Sequence, residues 1–255
     1  MRTPIIAGNW KMNKTVSETV ELARALREAL DGISGVEVVL CPPFTSLWAA
    51  QTVLEGSSIG LGAQNMHWKD KGAFTGEISP LMLKELCEYV IIGHSERRQY
   101  FGETDESVNH KVKAALEHSL KPIVCVGESL AQYEAGETGH VVSRQVRGGL
   151  AGLTVEQMAQ VVIAYEPVWA IGTGKAATGE GANLVVARSI RQPLVEMFGE
   201  ATAAATRVQY GGSVVPANIA EFMGQPDIDG GLVGGASLKA GDFADIVKLT
   251  VKAKG

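Results

Sequence analysis

A carboxylate at the mouth of a dry cavity becomes a stronger base, because its charged form loses solvation. Glu166 directly follows the apolar run 161–165 and would stand in such a place. An arbitrary glutamate at a strand end is ordinarily paired with a surface lysine. What sets this one apart is the segment after it, residues 167–175, with a proline start, an apolar middle and a glycine-rich end. That composition suits a lid that closes over a ligand and offers backbone N–H groups. His94 ends the run 89–93, and Ser95 reads as the N-cap of a short helix through Arg98. A helix N-terminus pushes an imidazole toward its neutral form, so His94 could donate to a carbonyl without being a strong acid. His67, His110, His118 and His140 have no comparable setting and read as structural.

Lys11 follows the first apolar run and would bring positive charge for an anion or a developing enolate, with Asn9 adding a neutral hydrogen bond. Alone, a lysine after a strand is a solvated side chain; its company gives it weight. Tyr210-Gly211-Gly212-Ser213 and Val233-Gly234-Gly235-Ala236-Ser237 follow the last two runs. Glycine permits the close backbone approach that a phosphate needs, and barrels of the parallel type bind phosphate after their late strands.

These groups need elements to bring them together. Runs rich in Val, Ile and Leu recur at 5–8, 36–41, 58–63, 89–93, 122–126, 161–165, 207–210 and 229–233. Longer stretches with helical spacing separate them, which is the pattern of βαβ units. Eight repeats in 255 residues fit a single (β/α)8 barrel domain spanning 1–255, with strands buried on both faces. Asn9, Lys11, His94, Glu166, Ser213, Gly234 and Gly235 would then share its C-terminal rim.

The intervening stretches carry boundary signals. Thr15-Val16-Ser17-Glu18 reads as a capping box, followed by a stripe of Val20, Ala23, Leu26 and Leu30 that Asp31-Gly32 ends. Val108, Val112, Ala115 and Leu116 form a second stripe, closed by Lys121-Pro122. A helix over about 181–198 holds Pro193 in its interior and should kink or split there.

The net charge of −5 and the lack of a basic run leave no electrostatic footprint for nucleic acid or an anionic membrane. Cys41, Cys87 and Cys125 lie in apolar stretches without metal-ligand spacing, which suits buried thiols in a reducing compartment. With no signal-peptide pattern and no membrane-length apolar run, the expected location is cytoplasmic. No cofactor or metal is called for.

The chain resembles the triosephosphate isomerase family essentially from end to end. The resemblance rests on Asn9-Trp10-Lys11-Met12-Asn13, Ala63-Gln64-Asn65 with Gly72-Ala73-Phe74-Thr75-Gly76-Glu77, and Gly93-His94-Ser95-Glu96-Arg97-Arg98. It continues through Cys125-Val126-Gly127-Glu128, Ala164-Tyr165-Glu166-Pro167-Val168-Trp169 and both glycine pairs. It implies interconversion of D-glyceraldehyde 3-phosphate and dihydroxyacetone phosphate through an enediolate, in glycolysis and gluconeogenesis. Glu166 would move the proton between carbons, and neutral His94 would polarise the carbonyl and shuttle protons between the oxygens. Lys11 and Asn9 would stabilise the intermediate, and Glu96 would orient the site. Amides near Gly172, Ser213, Gly234 and Gly235 would hold the phosphate, while Ile171 and Leu232 would press on Glu166 under a closed lid. The loop 64–77, with Thr75 near its tip, would insert into a second subunit, implying a homodimer.

The chain departs from that resemblance in two places. Relatives commonly read Ala-Thr-Pro-Glu where this chain has Ala177-Thr178-Gly179-Glu180, and Pro193 is unusual. Gly179→Pro is therefore expected to stabilise modestly where the backbone is compatible. Other phosphate-binding barrels remain as alternatives. A Schiff-base aldolase needs an inner-strand lysine, which the runs 122–126, 161–165 and 207–210 lack, and a metal aldolase needs clustered His and acidic ligands. A catalytically dead scaffold would have no need for Lys11, His94 and Glu166 together.

Overall fold

Side chains alternate across a strand, so a strand buried on both faces sends every second residue into one core and the rest into another. The computed structural model, which describes residues 2–171 and 177–255, shows both cores. Its strands are β1 (Ile5–Asn9), β2 (Glu37–Cys41), β3 (Ile59–Ala63), β4 (Tyr89–Ile92), β5 (Lys121–Val126), β6 (Val162–Tyr165), β7 (Arg207–Tyr210) and β8 (Gly230–Val233). They pair in parallel in chain order, and β8 closes on β1. Ile5, Ala7, Val39, Cys41, Tyr89, Ile91, Ile123, Cys125, Val162, Ala164 and Leu232 form the core inside the barrel. Their neighbours, among them Ile6, Leu40, Val90, Val124, Ile163 and Val233, pack outward under the helices. Among the described residues no helix is long and apolar enough to cross a membrane.

The same alternation aims the rim. Asn9 continues the inward series Ile5, Ala7, and Glu166 continues Val162, Ala164. The ladder runs on past β6 as Glu166 N–H donates to Val126 O at 2.8 Å and Gly211 N–H to Tyr165 O at 2.7 Å.

Every expected strand is found, with ends within a residue. β5 begins at Lys121, so one of the late strands does contain a lysine. It sits at the opposite end from the rim, ion-paired with Glu88 and lying over the Tyr89 ring. The first helix, Val16–Leu30, has the expected capping box at Thr15, but Thr19 and Leu22 are buried in its stripe while Val20 is only half-buried. The helix Asp105–Glu117 buries Val108, Val112, Ala115 and Leu116. It stops before Pro122 is reached, at a left-handed Ser119 with φ 62°.

Pro193 splits its helix as expected, and the repair is visible. Helical turns over Gly179–Val185 pass into a π-helical stretch, Val186–Arg191, and return to α-helix at Gln192–Phe198. Proline has no N–H to give the carbonyl four residues back, which is that of Ser189. The Ser143 hydroxyl, from a neighbouring helix, donates to that carbonyl instead at 3.3 Å.

The condition attached to Gly179→Pro, a compatible backbone, is not met. Its N–H donates to Glu221 Oε1 at 2.5 Å, and a Cβ at 179 would lie 2.9 Å from the Glu221 carbonyl oxygen. Proline would delete the donor and crowd the helix behind it. Gly179→Pro should therefore lower stability, by about 1–3 kcal/mol for a lost hydrogen bond to a charged group plus strain. Denaturant unfolding checks this, and a rise in the midpoint at unchanged slope would contradict it.

Candidate active site

Glu166 points inward at the end of β6, 2% exposed, between two positions that have no side chain. A Cβ on Gly127 would lie 1.7 Å from the Glu166 carbonyl oxygen, and one on Gly211 would lie 2.9 Å from its Cγ. Glycine just past each neighbouring strand makes the arrangement possible: Gly127 lets the backbone at 166 pass, and Gly211 leaves space for the glutamate side chain. Its carboxylate is met from β4: Oε1 lies 2.9 Å from His94 Nε2, and Oε2 accepts from the Ser95 N–H at 2.9 Å. Burial alone would raise the Glu166 pKa, but the His94 ring and the Ser95 amide reverse this and hold it below the ordinary carboxylate value.

His94 is delivered by Gly93, whose left-handed φ of 74° leaves no space for a side chain beside Val108 and Arg98. The helix that follows is Ser95–Phe101, and its N-cap is His94 rather than Ser95: Nδ1 accepts from the Glu96 N–H at 3.2 Å. Burial disfavours the charged ring, yet the adjoining Glu166 carboxylate outweighs it and holds the His94 pKa above its ordinary value. A doubly protonated ring could not accept at Nδ1, so the cap bond selects the tautomer with its proton on Nε2, facing Glu166. The neighbour raises the pKa and the cap opposes protonation; once the carboxylate moves away, burial and Lys11 favour the neutral ring against the smaller pull of Glu96.

Lys11 adopts φ 51°, left-handed for a residue with a side chain. Its N–H donates to Asn9 Oδ1 at 3.0 Å, and its carbonyl accepts from Gln64 Nε2 at 2.9 Å, which also reaches the Cys41 carbonyl. So held, Lys11 places its Nζ 2.6 Å from Glu96 Oε1, and Glu96 Oε2 stands 3.7 Å from His94 Nδ1. Gln64 is a positioning group that reading the residues one by one passed over. It stood in the quoted Ala63-Gln64-Asn65 string, but nothing there signals a bond to Lys11.

A cavity of about 270 Å3 is lined by Asn9, Lys11, His94, Glu166, Ile171, Leu232 and both glycine pairs with Ser213 and Ala236. All the expected site residues that the structure describes therefore border one space, except Glu96, which reaches it through Lys11. Gly172 lies outside the described residues, as does the rest of the expected lid's glycine-rich end, 173–175. Val214 and Val215 join the lining although no chemical signal marked them. Asn218 ties this wall together, accepting from Val215 N–H and donating to the Ser213 carbonyl, both at 2.9 Å. A larger cavity of about 770 Å3 lies on the other side of Glu166, against Ser95, Val168 and Trp169. Its two arginines, Arg98 and Arg144, are both paired with Asp105, and Lys11, His94 and the glycine pairs do not line it. The smaller cavity offers a buried carboxylate, an imidazole N–H and an ammonium around one point, with two glycine turns beyond. That set can take a proton from carbon, polarise the adjacent carbonyl and bind a phosphate.

Comparison with known proteins agrees. The family model described as triosephosphate isomerase matches residues 4–250. The triosephosphate isomerase of Moorella thermoacetica is 62% identical over 248 residues, covering 97% of this chain and 98% of its own. Those of Herpetosiphon aurantiacus and Carboxydothermus hydrogenoformans are 58% and 57% identical, each covering 98% of this chain and the whole of its own. With its closed barrel, its rim and matches of this length and identity, the chain belongs to the triosephosphate isomerase family.

Proposed function

We propose that Glu166 is the base with which this chain interconverts D-glyceraldehyde 3-phosphate and dihydroxyacetone phosphate, the aldose–ketose isomerisation of its family. The observation that carries this reading is the contact of its dry carboxylate with His94 Nε2 at 2.9 Å on the wall of the small cavity. In the resting site that contact and the Ser95 amide occupy both carboxylate oxygens. Substrate binding exchanges them for the carbon acid, and the absence of a side chain at Gly211 leaves the Glu166 Cγ room to turn. Stripped of its partners in a water-poor cavity, the carboxylate gains basicity when the proton is to be taken. Glu166 removes the proton from the carbon next to the carbonyl and returns it to the neighbouring carbon.

His94 donates from Nε2 to the carbonyl oxygen and passes protons between the two oxygens of the enediolate. The Lys11 ammonium, now paired with Glu96, stabilises the charge that develops there, and Asn9 adds a neutral donor. Glu96 orients the site through the Lys11 ammonium. Ser213, Gly234 and Gly235, which line the far wall, hold the phosphate through their amides. The Gly172 amide belongs to the same proposal. Ile171 and Leu232 supply the apolar surface against the base.

We further infer a homodimer. Met12, next to Lys11, is 96% exposed and Trp48 is 70% exposed; Phe44, Phe74, Met82, Tyr100 and Phe101 are exposed as well. They come from segments that follow β1 to β4, and apolar groups gathered on one side favour burial against a second copy. The loop 64–77 is stiffened by His67, which stacks on Trp68 and lies tilted against Phe74, and this suits insertion into a partner with Thr75 near its tip. Three buried free cysteines support a cytoplasmic location, and a barrel closed by all eight strands supports a single domain.

Glu166→Asp retracts the carboxylate by one methylene, and a misplacement of about 1 Å costs on the order of 10²-fold in rate. A coupled assay with glyceraldehyde 3-phosphate should show fast conversion that falls by at least that factor. No conversion by the folded protein would overturn the reading. In the wild type, kcat/KM reports the free enzyme. As pH falls, Glu166, held below the ordinary carboxylate value of about 4.3, stays ionised, while His94, held above its ordinary value by that carboxylate, takes up a proton first; the enzyme's own acid limb should therefore be set by His94. A limb near 6 belongs to the substrate phosphate; after correction for it, an enzyme acid limb left unchanged in His94→Gln would contradict the assignment. Sedimentation should find a dimer, and a fully active monomer at working concentration would refute the assembly.

A further inference from the structure

We propose that Glu221, which lies outside the cavity, is a positioning residue for the anion-binding wall of residues 211–215. The inference rests on the reading of that wall as the phosphate site. Gly211 to Val215 have no regular structure of their own and depend on what stands behind them. Behind them is the short helix Ile219–Met223, anchored in the core by Ile219, Phe222 and Met223. At its start Asn218 bonds the Ser213 carbonyl and the Val215 N–H, so any displacement of this helix is carried to the wall.

One turn in, on the face turned away from the core, Glu221 reaches the chain at Gly179. The Gly179 N–H belongs to the first turn of its helix, where N–H groups have no partner within the helix. Thr178 satisfies one of them, its Oγ1 accepting from Gly181 at 3.1 Å. Glu221 satisfies another from the neighbouring element at 2.5 Å, a charge-assisted bond placed where the helix dipole strengthens it. The approach is close because position 179 has no side chain: a Cβ would meet the Glu221 carbonyl oxygen and Cγ at 2.9 and 3.0 Å. A second tie between the same two parts, from Asn183 to the Asp227 N–H at 2.9 Å, lies a turn further from the cavity. That tie sets the distance between the two parts, and Glu221 fixes the end nearest the phosphate.

Removing the Glu221 acceptor should therefore loosen the wall without touching Glu166, His94 or Lys11. The test compares wild type, Glu221→Met, which keeps the length and loses the acceptor, and Glu221→Gln, which keeps an oxygen. The readouts are kcat and KM for glyceraldehyde 3-phosphate, the inhibition constant of inorganic phosphate, and the melting temperature. In Glu221→Met, KM and the phosphate constant should rise together by about three- to tenfold, as expected when uniform binding is lost, with kcat within about twofold. Glu221→Gln should recover most of both. A purely structural role would move the melting temperature and leave the binding constants alone, which would overturn the inference. If phosphate failed to compete even in the wild type, the reading of the wall would fall and this inference with it. If phosphate competed there but bound Glu221→Met equally well, only the role of Glu221 would fall.

Discussion

A carboxylate taken out of water costs several kcal/mol unless its surroundings repay it, and the upper rim of this barrel is organised around that debt at Glu166. The strand period makes the residue point inward. Glycine at 127 and 211 makes room for it. A left-handed glycine at 93 then turns the chain so that an imidazole and a backbone N–H arrive at its two oxygens. Each of these would be a defect on its own: a gap in two strands, a strained turn, a histidine in a cap. Together they keep a charge ionised in a dry place. The arrangement also explains why the resting site is not the reacting one, since the contacts that hold the carboxylate down also make it a weaker base.

The barrel was legible because strands buried on both sides cannot hide; eight apolar runs with caps between them leave few other folds. The convergence of Asn9, Lys11, His94 and Glu166 followed from one rule, that parallel strands place their C-terminal ends on one rim. What stayed illegible depends on partners distant in sequence. Ser95 has the conventional side chain for an N-cap, yet His94 caps the helix, because Gly93 turns the chain one residue earlier than composition suggests. Pro122 looked like the end of a helix that in fact stops at a left-handed Ser119, a conformation no residue type announces. Gln64 could not be assigned to Lys11 from sequence, because the bond spans 53 residues.

The two departures from the familiar pattern teach the same lesson more sharply. Local rules correctly marked Pro193 as a helix breaker and Gly179 as a soft first turn. They could not show that Ser143 would supply the donor Pro193 lacks, or that the Gly179 N–H was already engaged by Glu221. A propensity argument treats a backbone N–H as free until a partner is known. Here a neighbouring element has claimed it, and the expected effect of proline at 179 changes sign.

Lys11 shows why the chain tolerates strain where it does. A left-handed lysine is unfavourable by roughly 1–3 kcal/mol and persists only if its neighbours over-determine it. Asn9 holds its N–H and Gln64 its carbonyl, so the peptide on either side is fixed before the side chain begins. A lysine stem has four flexible carbons, and an ammonium left to find its own position would spend binding energy on ordering. Fixing the backbone limits the volume the ammonium can search, and Glu96 narrows it further. Strain at Lys11 and burial at Glu166 are thus two forms of one investment, made on folding, in charges that need little reorganisation when the substrate arrives.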